Sequence, residues 1–101
     1  MAEILYKNGN LYLDAALYDT YLKTFGSAVL IKRDDLFLLM PVQQASGGLL
    51  LKIKNARGDR VIHAVEFFEN NGVEVFQEIV VEVQWNSEFH ALVFELPDTR
   101  T

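Results

Sequence analysis

Between Ala28 and Val42 the chain reads AVLIKRDDLFLLMPV, two apolar runs separated only by Lys32, Arg33, Asp34 and Asp35. This pattern reads as a β-hairpin with almost no polar face. A half-buried strand alternates apolar and polar residues, whereas the run from Leu36 to Met40 offers apolar side chains to both sides and needs cover on both. Helices of the same chain can supply one cover and a second copy of the chain the other. A homodimer through Ala28 to Val42 is the partner arrangement this predicts.

Composition supports the surplus. The 101 residues suffice for one domain, 1–101, and half of them are hydrophobic, including one Trp, four Tyr and seven Phe. A chain of this length buries roughly two thirds of its unfolded surface, less apolar side chain than this one carries. With no cysteine there is no disulfide framework and no thiolate metal site. The apolar runs fall far short of the ~20 residues a membrane span requires, and the first residues lack the pattern of a signal peptide. The expectation is a cytoplasmic protein with no membrane contact.

The net charge of −5 is unevenly spread: after Lys54 only Arg57, Arg60 and Arg100 face nine acids. An acidic balance argues against duplex nucleic acid as a partner, because such binding depends on Lys and Arg neutralising phosphates.

Along the chain, Ile4 to Tyr6 and Leu11 to Leu13 flank an Asn8-Gly9 pair suited to a tight hairpin turn. Asp14 suits a helix N-cap, and Leu17, Tyr18, Tyr21, Leu22 and Phe25 recur at helical spacing until Gly26, predicting a first helix over Ala15 to Phe25. After the 28–42 hairpin, the polar stretch 43–48 reads as a flexible connector. Leu49 to Lys54 alternates as a one-sided strand. The turn Asn55 to Arg60 follows, then a second helix over Arg60 to Asn71 with Asp59 as its cap, its apolar side formed by Val61, Val65 and Phe68. Gln77 to Trp85 and Phe89 to Leu96 form a last hairpin with Ile79, Val81, Val83 and Trp85 on one face. The expected fold is α+β: a mostly antiparallel sheet of about seven strands with two amphipathic helices, its order suggesting a pseudo-duplicated β-α-β-β unit.

The best site candidate is the Asn55 to Arg60 turn. A glycine-bearing turn before a helix amino terminus leaves backbone N–H groups free, and Arg57 and Arg60 add positive charge, so a small anion or a partner's carboxylate could bind at Arg57, Gly58, Arg60 and His63. The structural alternative is an ordinary strand-to-helix connection. His63, Glu66 and Asn70 share one face of the expected helix, too few ligands for zinc but compatible with a small enzyme whose site lies near the 55–63 turn. No Walker loop or dinucleotide glycine pattern is present, so no cofactor is expected.

The stretch Gly9-Asn10-Leu11-Tyr12-Leu13-Asp14, followed by an amphipathic helix and an apolar hairpin, resembles the swapped-hairpin half of AbrB-type and MraZ-type bacterial DNA-binding proteins. That resemblance covers residues 9–42 and implies a DNA-binding regulator. The family usually has Pro where Asp14 stands and a basic surface that this chain lacks. The residues themselves favour a small, soluble, non-enzymatic binding or assembly module that self-associates, since no nucleophile, base and orienting group assemble from its motifs.

Overall fold

In a computed structural model the residues described are 2–43 and 48–97. Short turns fold the chain into successive hairpins. Strands β1 (Ala2–Lys7) and β2 (Asn10–Leu13) pair through a two-residue turn in which Asn8 and Gly9 both take positive φ, 52° and 82°, the handedness that matches strand twist. Strands β3 (Ser27–Arg33) and β4 (Leu36–Val42) pair along their whole length, from Ser27↔Val42 to Arg33↔Leu36, as the doubly apolar pattern predicts. Beyond the connector, whose residues 44–47 lie outside the described set, come β5 (Leu49–Leu50), β6 (Lys52–Ile53) and β7 (Arg60–His63), then β8 (Glu78–Asn86) and β9 (Ala91–Phe94). Ile79, Val81, Val83 and Trp85 of β8 share the core-facing side, as expected.

The nine strands form one sheet in the order β5-β3-β4-β9-β8-β1-β2-β7-β6. Its two edges, β5 and β6, are consecutive pieces of residues 49–53, the first paired with β3 and the second with β7. One short segment therefore draws both edges of the sheet together into a nearly closed barrel. Around it, hairpins from the first half of the chain alternate with hairpins from the second: β1–β8, β2–β7, β3–β5 and β4–β9 all join one half to the other.

This architecture corrects the expected α+β fold of seven strands and two helices. Strand accounts for 49% of the described residues and helix for 15%. The first helix is cut to α1 (Ala15–Leu17), which widens into a π-helical turn over Tyr18–Leu22. There the Thr20 hydroxyl donates to the Ala16 carbonyl at 2.8 Å, a local bond that competes with the helix ladder, and Thr24, not Gly26, takes the left-handed conformation. The second helix loses its first turn to β7, because Val61 and Ile62 are β-branched and the open edge of β2 takes them into register as Tyr12↔Val61 and Leu11↔Ile62. Only α2 (Val65–Asn70) remains helical, closing at Gly72 with φ 80°. The expected β-α-β-β unit is likewise replaced, each half consisting of two hairpins joined by a short helical stretch. The alternating strand at Leu49 to Lys54 is also broken, since Leu51 is buried but Ile53 is exposed.

Inside the barrel, Ile4, Tyr6, Leu11, Leu39, Ile62 and Leu92 are fully or nearly fully buried. Helix α2 packs Phe67 and Phe68 onto Phe37 at ring separations of 6.0 and 5.4 Å, and Phe68 meets Tyr6 edge-on at 5.1 Å. The 15–22 stretch buries Leu17, Tyr18 and Leu22 in the same core and stacks Tyr21 on Trp85 at 5.6 Å. No described helix is long and apolar enough to cross a membrane.

Candidate functional site

The 55–60 turn is organised by Asn55 and Asp59. The Asn55 side-chain oxygen accepts from the backbone N–H groups of Arg57 (3.1 Å) and Asp59 (3.3 Å), while its amide nitrogen donates to Asp59 Oδ2 at 2.9 Å. Gly58 takes φ 95° and donates its N–H to the Asn55 carbonyl at 3.1 Å. Asp59 Oδ1 accepts the N–H of Ala15 at 2.8 Å, so it caps the first helical stretch and not the one that follows it in sequence. The amide of Asn55, the Ala15 N–H and the nearby Arg57 guanidinium together hold the Asp59 carboxyl below the ordinary carboxylate range.

The four residues expected to bind a ligand are placed as follows. Arg57 is exposed and pairs within the turn with Asp59 at 2.9 Å. Gly58 provides the positive-φ corner. Arg60 starts β7, donates to the Gly58 carbonyl, and lays its guanidinium 3.9 Å from the centre of the Tyr18 ring. His63 ends β7, exposed, with Nδ1 3.4 Å from Asn10 Oδ1. A strand, not a helix amino terminus, follows the turn, and the N–H groups of Arg57, Gly58 and Asp59 are all taken up by Asn55. Glu66 and Asn70 lie on α2 while His63 ends β7, so the three do not share one helix face, and His90 sits in the 87–90 turn with its ring 6.3 Å from Trp85. Beside the turn lies a groove of about 250 Å³ that brings Glu3, Asp14 and Asp59 together with Lys54 and Arg60, with the Lys54 ammonium 4.8 Å from the Tyr12 ring. Carboxylates outnumber cations along it, a balance that does not concentrate anions.

A second candidate surface is the outside of the β3–β4 hairpin. Ala28, Leu30, Phe37 and Leu39 enter the core. The alternate residues Val29, Ile31, Leu36, Leu38 and Met40 lie on the other side of the hairpin, meeting in the cross-strand pairs Val29↔Met40 and Ile31↔Leu38, with Val93 next to Leu38 on β9; Leu38 is itself buried. Ile31 is 41% and Leu36 38% exposed. This surface runs on into a groove of about 540 Å³ over β8, β9 and the start of β1, where Val80 and Val93 lie among Glu3, Glu82 and Glu95. Reading the sequence missed that groove. Its three acids are scattered over the chain, and only the strand register, Glu3↔Glu82 among it, brings them together.

What fold and surface define is a small antiparallel β-barrel of alternating hairpins with an apolar outer strip. Compared with known proteins, the chain matches no family model, no curated protein and no solved structure.

Proposed function

We propose that the protein is a non-enzymatic assembly module that associates with copies of itself through the outward face of residues 28–42. The observation that carries this reading is that the barrel core cluster uses one side of a hairpin apolar on both, leaving Val29, Ile31, Leu36 and Met40 partly or largely exposed on the other, around a Leu38 that is itself buried. Contiguous exposed apolar patches of this kind mark association sites. Light scattering at micromolar concentration tests the proposal: the expected result is a mass above that of one chain, lowered by Ile31→Asp, which places a charge in the strip without touching the core. A clean 11.5 kDa particle at every concentration overturns it.

A further inference from the structure

Resting on that self-association, we infer that the associating copies exchange halves: residues 2–42 of one chain complete a barrel with residues 49–97 of a second copy, and the reverse. The pattern of contacts permits it. Every ladder between hairpins, β1 with β8, β2 with β7, β3 with β5 and β4 with β9, joins a strand of one half to a strand of the other. The side chains follow suit: Tyr6 meets Phe68, Tyr21 stacks on Trp85, Arg60 lies over Tyr18, and Asp59 accepts the Ala15 N–H. A half taken from a second copy offers the same partners in the same register, so exchange gives up none of these contacts.

Two features favour the exchanged form. Val42 lies opposite Ser27 on one side of β3 and Leu49 opposite Ala28 on its other side, so β4 and β5 run parallel. Parallel strands are ordinarily joined by about a dozen residues or more; here residues 43–48 make the join, Gly47 and Gly48 among them. In the exchanged pair that connector runs from one barrel to the other and no longer has to join the two sides of one β3. The second feature is the outer face beside it. The connector leaves β4 just past Met40, whose cross-strand neighbour is Val29, and both are partly exposed. Exchange therefore holds this end of the two outer faces within the reach of one connector, on the order of 20 Å. Because the exchange is reciprocal, it closes at two chains.

The chain has no cysteine, so an introduced pair reports which chains are joined. Glu3 and Glu82 are exposed and stand directly opposite each other across β1 and β8, one in each half, a spacing that a disulfide fits. The full-length variant Glu3→Cys with Glu82→Cys is checked for the wild-type circular-dichroism spectrum and refolded, reduced, at about 1 mM, the effective concentration at which a short connector holds its own halves. It is then oxidised and separated by size. The two-chain fraction is expected to run as two linked chains on a denaturing, non-reducing gel, and the one-chain fraction as one. Lys7→Cys with Glu78→Cys repeats the reading at the other end of the same ladder, and Gln84→Cys with Val93→Cys, both in the second half, is expected to give single chains throughout. A two-chain fraction of either cross-half variant that runs as single chains overturns the exchange and leaves self-association through the outer face standing. A protein that stays monomeric at that concentration overturns both.

Discussion

Asp59 accepts the backbone N–H of Ala15, 44 residues earlier in the chain, at 2.8 Å, while Asp14 accepts that of Leu17 at the same distance. Two carboxylates thus satisfy donors of one short helical start, and their charge opposes an anion there. Asp59 has its carboxyl lowered from 3.8 in the folded state, so it stabilises the fold fully above that value and the stabilisation is lost as pH falls through the lower folded-state value. Thermal melts across acidic pH are expected to fall more steeply for wild type below 3.8 than for Asp59→Asn, which keeps an acceptor but has no proton to gain. Parallel acid limbs for the two proteins would contradict this assignment.

Removing Arg57 tests the turn from its exposed side. Its pair with Asp59 is largely in water, where such pairs contribute about 0–1 kcal/mol, so Arg57→Ala is expected to melt within a few degrees of wild type. A large loss would mean that the guanidinium holds the turn together.

Two glycines with nearly the same backbone angle separate strain from crowding. At Gly72, φ 80°, an added Cβ meets nothing within 4 Å; at Gly9, φ 82°, it would lie 2.8 Å from Val65 Cγ2 and 2.9 Å from Val65 Cα. Gly72→Ala is expected to cost about 1–2 kcal/mol, from the left-handed conformation alone. Gly9→Ala adds an overpacking cost of about 1–3 kcal/mol. Because one of the clashing atoms belongs to the backbone, Val65→Ala should recover little of the Gly9→Ala loss. Denaturant titration of the four proteins measures these differences, and equal costs at the two glycines would rule out the crowding.

At the other end of the pH scale, the Tyr6 hydroxyl donates to the Glu74 carbonyl at 2.9 Å. Burial, with the Glu74 carboxylate adding to it, raises its titration above 10.0. The neutral phenol is therefore the form the fold favours, and its contribution is present below 10.0 and lost as pH rises through the folded-state value. Tyr6→Phe is expected to cost about 0.5–1.5 kcal/mol at neutral pH, the Glu74 carbonyl keeping the Gln77 side-chain amide at 3.1 Å as a donor. The variant should also lose part of the alkaline unfolding limb. An unchanged limb would place that titration elsewhere.

Hydrogen exchange reads the barrel closure directly. Segment 49–53 is held by two register pairs to β3 and two to β7, against six between β1 and β8. Its amides are expected to exchange by local opening well before those of β1 and β8, which need the whole barrel to unfold. Equal protection in both places would show that the barrel opens only as a unit.

Local chemistry made parts of this fold readable in advance. The Asn8-Gly9 turn, the apolar 28–42 hairpin and the inward row from Ile79 to Trp85 are each specified by residues adjacent in sequence, and each has its expected form. The spacing of Val61, Val65 and Phe68 was ambiguous, because the first belongs to a strand and the others to a helix, and only the edge offered by β2 decides where one gives way to the other. At the candidate site the same limit applies. Gly58 announced a corner and Asp59 a cap, but the group that Asp59 caps lies on a distant segment, which no local pattern identifies.

The alternation of hairpins around the barrel carries a consequence for how the chain can be divided. Each half holds only its own hairpins, and every ladder joining one hairpin to the next crosses between the halves. A peptide cut in the 43–48 connector would leave two fragments, neither with a neighbour for its outer strands. Each would stay unfolded alone, and the barrel would reassemble when they are mixed, making this chain a natural two-part reporter in which folding itself signals that the parts have met.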